Sequence, residues 1–297
     1  MPDAQTRRDR LDGIAVSLIV ACCALWGLNQ VIVKLTIPTV APLAQGALRS
    51  AIAALLVALW ARHRGIALLP RDGANSAGIV AGLLFGIEFC FLYAGVAQTS
   101  ASRAVLFLYL APFVVALGMP LIAPGERLGR AQIAGLVLAF GGLSLAVGDG
   151  LGDQDGQWTG DLLCAVAAIF WGLTTLWIRA TALGGAAPER TLFFQLACSA
   201  PLMAIASLVS GEPLPRLDEP LAGASLLFQA VIIAFASYLS WFWLLRHYPA
   251  TRVAAFTFLT PVLGLVAGVM LLGEPLSVAL LGGLAGIATG LWLVNRR

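Results

Sequence analysis

Residues 23–37 read CALWGLNQVIVKLTI and residues 168–182 read AIFWGLTTLWIRATA. Trp26-Gly27-Leu28 returns as Trp171-Gly172-Leu173, 145 positions later, and Lys34 falls on Arg179. A second correspondence lies further along each half. Ala101-Ser102-Arg103-Ala104, followed by Pro112, matches Ala250-Thr251-Arg252-Val253, followed by Pro261. Glu126 then matches Glu274. The chain is a repeat, and each copy holds five apolar stretches. An odd number of spans sets the second copy into a bilayer upside down. Inverted repeats of this kind are the architecture of secondary transporters, with the substrate site near the midplane between the halves.

Composition agrees. With 60% apolar and 11% charged residues and a mean hydropathy of +0.91, the chain is no ordinary soluble domain. A helix needs about 20 mostly apolar residues to cross the ~30 Å hydrocarbon core. Ten such stretches are present: 13–33, 43–61, 77–97, 102–123, 131–147, 160–181, 191–209, 224–245, 251–272 and 277–294. No alternating short-strand pattern signals a β-barrel. The expected fold is an all-α membrane protein of ten transmembrane helices in two inverted five-helix repeats. Residues 1–12 form an N-terminal tail, 13–147 the first repeat, 148–159 an external linker and 160–295 the second repeat. The first stretch is longer than a signal-peptide core and has a counterpart in the sixth, so it reads as a mature helix.

The basic residues set an expected orientation. Fourteen lie on the N-terminal side: Arg7, Arg8, Arg10, Arg62, Arg64, Arg71, Arg127, Arg130, Arg179, Arg190, Arg246, Arg252, Arg296 and Arg297. Only Lys34, Arg103 and Arg216 lie on the other. Both termini are therefore expected in the cytoplasm. The net charge of +3 is dispersed over many loops and predicts no nucleic-acid partner. The five cysteines all fall inside spans, without His or Asp at metal-ligand spacing. No nucleophile-base pair and no phosphate loop is visible. The expectation is no catalytic residue, no metal, no cofactor and no enzyme. His63 and His247 sit at helix ends, as interfacial residues do.

Several residues stand out against the apolar background. Cys22, Trp26, Asn29 and Gln30 share one helix face, and Trp171, Thr174 and Thr175 repeat it in the sixth span. Polar groups facing lipid are costly. This face reads as a cavity wall, with interhelical hydrogen bonding as the alternative. An aromatic wall with amides and hydroxyls suits a small amphipathic solute. Glu88 and Arg49 are ionisable residues well inside spans, about 14 Å and about 10 Å below the outer helix ends at 1.5 Å per residue. They pair with each other, or one or both meet solute or proton. Their counterparts in the second half lie near Ser237 and Gln195. Tyr109 occupies the same layer, about 12 Å deep, and Ser237, Ser240 and Trp241 oppose it from the eighth span. Pro112 and Pro261, mid-span and repeat-equivalent, each remove one backbone hydrogen bond. They read as fixed kinks or as paired hinges. Gly282, Gly286 and Gly290 in the tenth span, and Gly135, Ala139 and Gly142 in the fifth, form small-residue ridges for packing within a monomer or along a homodimer seam. Lys34 or Arg103 is placed to meet Glu274 at the outer face, and Arg179 or Arg252 to meet Glu126 at the inner face. These are paired gates, or residues that merely snorkel.

Taken together, these motifs resemble the drug/metabolite transporter superfamily, EamA type. The evidence is Trp-Gly near the middle of spans one and six, Ala-Ser/Thr-Arg-Ala/Val opening spans four and nine with a later Pro, and a Gly-Glu after those spans. The resemblance covers residues 13–295. It implies a central cavity lined by spans 1, 3, 4, 6, 8 and 9, with spans 5 and 10 as supports. Within the superfamily the chain is most similar to the YddG-type exporters of aromatic and other neutral amino acids. The four-span multidrug relatives use a glutamate in the first span, which is absent here. The expected function is export of amino acids or similar small metabolites across the cell inner membrane by alternating access. The partners would be a small-molecule substrate and the bilayer, with proton coupling and a monomer or homodimer open. A multidrug or nucleoside exporter on the same fold is the nearest alternative. A membrane enzyme or a non-transporting scaffold is the alternative from another class.

Overall fold

The computed structural model describes residues 11–122, 129–151, 157–248, 253 and 256–295. Among them the chain is helical throughout, with no strand. The first three spans are Gly13–Thr36, Pro42–His63 and Ala74–Gln98. The fourth is split into Ala101–Leu108 and Ala111–Ile122. The fifth, sixth and seventh are Arg130–Leu151, Gln157–Ala180 and Pro188–Val209. The eighth runs through three pieces: α-helix Pro220–Leu227, a π-helical stretch Phe228–Ser237, and α-helix Tyr238–His247. The ninth opens with a 3₁₀ turn, Phe256–Phe258, and continues as Leu259–Leu272. The tenth is Val278–Asn295. Seven of these ten spans have both the length and the apolar content to cross a bilayer on described residues alone, and three shorter apolar stretches, Ile133–Gly142, Leu259–Leu272 and Val278–Gly290, fall in the fifth, ninth and tenth.

Local chemistry sets the helix ends. Asp12 caps the first span by accepting from the Ala15 amide at 2.9 Å, and Ser100 caps the fourth through the Arg103 amide at 3.2 Å. Proline takes the first position of the second, seventh and eighth spans, where its missing N–H is no loss. The second and seventh spans, equivalent in the repeat, end alike. Gly65 (φ 67°) and Gly211 (φ 69°) turn left-handed. The amides that follow, at Ile66 and Glu212, close back on Ala61 and Ser207 at 2.8 and 3.1 Å. This is the Schellman closure that glycine permits.

Packing follows the two-fold relation between the repeats. The first span lies against the ninth, and the sixth against the fourth. The third meets the sixth and seventh, and the eighth meets the first and second. The second packs on the seventh and the fifth on the tenth, each pair equivalent to itself. Glycines mark the closest crossings. A Cβ at Gly27 would come 3.0 Å from the Thr260 carbonyl, and one at Gly172 would come 3.3 Å from the equivalent Ala111 carbonyl. In the supports, a Cβ at Gly286 would lie 2.9 Å from the Cα of Gly142, and one at Gly290 would lie 2.9 Å from Cβ of Ala139. Those glycines of the small-residue ridges are thus occupied within the monomer. Leu92, Tyr93, Phe107, Phe113, Leu192 and Leu196 fill the centre. Large apolar side chains such as Leu55, Val137, Leu208 and Met270 point outward, as a protein solvated by lipid tails requires.

Candidate functional site

The repeated tryptophans reach across to the opposite half. Trp26 donates its indole N–H to Ser237 Oγ at 2.9 Å. The Ser237 hydroxyl donates in turn to the Ile233 carbonyl at 2.6 Å, and its backbone carbonyl receives the Cys22 thiol at 3.7 Å. Trp26 also lies edge-on to Trp241 and Tyr238, with centroids 5.2 and 6.2 Å apart. Trp171, from the second repeat, meets Tyr109 of the first at 5.8 Å and 88°. Each repeat therefore contributes its motif tryptophan to an aromatic layer shared by both, and the second repeat adds Trp241.

Asn29 and Gln30 are buried, and their Oδ1 and Oε1 have no hydrogen-bond partner. Their counterparts behave differently. Thr174 and Thr175 donate to the carbonyls of Phe170 and Trp171 at 2.8 and 3.0 Å, and Ser240 donates to Ala236 at 2.8 Å. Hydroxyls at such spacing commonly turn back on their own helix. Their protons are engaged, and only oxygen lone pairs are left for a neighbour.

Arg49 is fully buried, and none of its three guanidinium nitrogens has a partner. Its central carbon sits 4.1 Å from the Phe89 ring centroid and 5.7 Å from that of Tyr93. Glu88 is also buried, with Oε2 unpartnered. The two charges act on each other electrostatically without closing into an ion pair: the guanidinium lies on the ring of Phe89, the next residue along. Tyr109 sits at the break between Leu108 and Ala111, buried, its hydroxyl unpartnered. The break lies just ahead of Pro112, and the 3₁₀ turn Phe256–Phe258 just ahead of Pro261. The missing proline N–H and the restriction on the preceding residue account for both. Gln195, the counterpart of Arg49, is buried.

Other residues of this layer have no strong mark in sequence. Tyr93 donates to Gln229 Oε1 at 2.8 Å, and Gln229 Nε2 donates to Gln45 Oε1 at 3.1 Å. Gln45 Nε2 ends the chain on the carbonyls of Val40 and Val33 at 2.7 and 3.2 Å. The available signal was Gln45 itself, an amide one turn before Arg49 on the same face. Tyr238 and Thr260 also line the layer, and the Thr260 hydroxyl is unpartnered.

Lys34, Arg103 and Glu274 gather at one face, where the Glu274 carboxylate acts on the Lys34 ammonium electrostatically. Lys34 donates to the carbonyls of Thr99 and Val96. These belong to the C-terminal end of the third span, where a cation is favoured. Arg103 pairs with Asp161, its Nε 3.1 Å from both carboxylate oxygens, and Thr99 Oγ1 donates to the same carboxylate at 2.7 Å. Glu274 accepts from the amides of Ala101 and Ser102 at 2.6 and 3.0 Å and from the Ser102 hydroxyl at 2.5 Å. The acid occupies the positive end of the fourth span, and Asp161 compensates the arginine one turn in. At the other face Arg179 is exposed; Arg252 and Glu126 lie outside the described residues. That face carries a clasp absent from the expectation. Arg190 donates to both oxygens of Asp72, at 2.6 and 2.7 Å, and to Asn75 Oδ1 at 2.8 Å. The Arg190 guanidinium, helped by the Ala74 amide, holds the Asp72 carboxyl down at about 2.

Residues 13–148 and 158–296 each match the model of the EamA-like transporter family. The chain belongs to that family. It is a multi-pass membrane transporter for a small-molecule substrate. It is 27% identical to proteins of Salmonella typhimurium and Escherichia coli, each named "Probable amino-acid metabolite efflux pump"; both alignments cover 96% of this chain and 94% of the relative. An "Uncharacterized transporter YvbV" of Bacillus subtilis is 26% identical over 92% of this chain and 88% of its own length. A crystal structure with 21% sequence identity superposes with a TM-score of 0.66 over 95% of this chain and 97% of that one, a likeness of fold.

Proposed function

We propose that this EamA transporter exports neutral and aromatic amino acids, or closely related metabolites, across the cell inner membrane by alternating access, with both termini cytoplasmic. The observation that carries the reading is the buried layer shared by both repeats. There Trp26 and Trp171 supply aromatic walls, while Arg49, Glu88, Asn29, Gln30 and Tyr109 hold polar atoms without partners. Buried polar groups are ordinarily satisfied, so a concentration of open ones between the two halves suits a passing solute. Two relatives named for amino-acid metabolite efflux support the same substrate class. Lys34, Arg103 and Glu274, with Asp161, bridge the halves at one face and suit an outer gate. Pro112 and Pro261, beside local breaks in their spans, suit hinges.

The test is counterflow. Purified protein in liposomes preloaded with one amino acid should accumulate labelled phenylalanine, leucine or threonine, and a pH gradient separates proton-coupled from facilitated movement. Accumulation of lipophilic cations or nucleosides, with none of amino acids, would move the assignment to a drug or nucleoside exporter.

A further inference from the structure

Three arginines are buried among the described residues: Arg49, Arg103 and Arg190. Two have carboxylates, Asp161 for Arg103 and Asp72 for Arg190. Arg49, the most deeply buried, has none, and all three of its nitrogens are open. A buried charge without a partner is costly, and proteins keep one where something else supplies the counter-charge.

The surroundings say which part of Arg49 is available. Phe89 lies against the guanidinium at 4.1 Å. All guanidinium N–H bonds lie in its plane, and this donor edge meets no acceptor in hydrogen-bond geometry. That edge is a fork matched to the two oxygens of a carboxylate. The hydroxyls of Tyr93 and Tyr238 lie near it. The Tyr93 hydroxyl is committed to Gln229, and Gln229 and Gln45 are committed to each other. Glu88 is the complementary group, a buried acid whose Oε2 has no hydrogen-bond partner.

Resting on the export reading above, we propose that Arg49 and Glu88 are the two poles of a receptor for α-amino-acid zwitterions. Arg49 takes the carboxylate through its in-plane fork, and Glu88 takes the ammonium. An α-amino acid carries both charges on one carbon, which suits two opposite side chains that are close yet not joined. The aromatic rings of Trp26 and Tyr238 take the side chain. Selectivity for the zwitterion over a plain amine or a plain acid then follows from the protein's own charges, because a ligand lacking one pole leaves one buried charge uncompensated.

The experiment compares four probes on the wild-type protein by calorimetry or thermal shift: L-phenylalanine, L-phenylalaninamide, 2-phenylethylamine and 3-phenylpropanoate. Phenylalanine should bind about tenfold or more tightly than each of the others, a difference of about 1.4 kcal/mol or more. Arg49→Gln should erase the preference over the amide, and Arg49→Lys should retain part of it. Glu88→Gln should erase the preference over 3-phenylpropanoate. The ligand series needs no variant, so a misfolded substitution cannot shelter the idea. Binding of the amide and of 3-phenylpropanoate as tightly as phenylalanine would overturn the receptor and leave the export reading standing. Failure of all four to bind would overturn the receptor, and the export reading would then be decided by the counterflow of leucine and threonine.

Discussion

Gly27 governs how near the two halves come. A Cβ there would lie 2.6 Å from the Gly264 amide nitrogen and 2.9 Å from its Cα. These are backbone atoms that cannot rotate away. Gly27→Ala should therefore cost on the order of 1–3 kcal/mol, as overpacking does, and lower the unfolding temperature in detergent. Gly141, with nothing within 4 Å of its Cβ position, is the control; alanine there should be neutral or slightly stabilising. Equal melting of the two variants would remove the close-approach argument. Trp26 is tested by graded truncation. Trp26→Phe loses one hydrogen bond, worth about 0.5–1.5 kcal/mol, while Ser237 keeps its bond to Ile233. Trp26→Ala also loses the edge contacts to Tyr238 and Trp241, and should weaken solute binding far more than the phenylalanine variant does. If both bind solute like the wild type, the tryptophan is packing only. Residues of this kind were legible because aromatic, amide and charged groups are conspicuous in a hydrocarbon-spanning stretch. Tyr238 and Gln229 were not, since their significance lies in partners more than a hundred residues away. The open state of Arg49 was equally invisible, because sequence alone shows a basic and an acidic residue in one layer and invites pairing them.

Helix ends carry much of the polar chemistry at the scale of elements. Glu274 sits at the start of the fourth span, and Glu212 at the start of the second, where it accepts from the Leu43 and Ala44 amides at 3.0 Å each. Both supply caps from distant parts of the chain, satisfying donors that a helix leaves open. Asp161 is the most consequential acid. Asp161→Asn removes a buried counter-charge from Arg103 and should destabilise by up to about 3–5 kcal/mol. Adding Arg103→Gln should recover part of that loss, measured by thermal unfolding in the same detergent; no recovery would mean the pair is not the reason for the loss. The clasp at the other face is pH-dependent in a stated direction. Asp72 has its carboxyl lowered from an ordinary 3.8 to about 2, so its stabilising contribution is present above about pH 4 and is lost as pH falls through about 2. The stability gap between wild type and Asp72→Asn should hold at neutral pH and close in that window; a gap that persists below it would exclude the ion pair as its source. The length of the apolar stretches located the spans because a bilayer demands long apolar helices. Pro112 and Pro261 marked the neighbourhood of the breaks in the fourth and ninth spans. The π-helical stretch Phe228–Ser237 carries no such mark: it is mostly apolar, without proline or glycine.

Sidedness belongs to the whole molecule. An inverted repeat requires alternate loops to gather on opposite faces, and side-chain contacts across the described loops agree. Arg216, after the seventh span, donates to the carbonyls of Pro38 and Thr39, after the first, at 2.6 and 3.0 Å. Arg190, opening the seventh span, holds Asp72 ahead of the third at the opposite face. The loops after the first and seventh spans thus share one side, and those after the second and sixth share the other. The sequence assigns fourteen basic residues to the second side and three to the first, an asymmetry from which the basic side is expected in the cytoplasm. The expected outcome is specific. Ala67 and Asp218 are exposed, on the second and first sides respectively. In a background without the five native cysteines, Asp218→Cys should react with a membrane-impermeant thiol reagent in intact cells. Ala67→Cys should react only after the membrane is opened. The reverse pattern would invert the molecule, placing the cluster of Lys34, Arg103, Asp161 and Glu274 at the cytoplasmic face. Reaction of both sites in intact cells would mean that the two loops share a side, and the inverted relation between the repeats would fail with it.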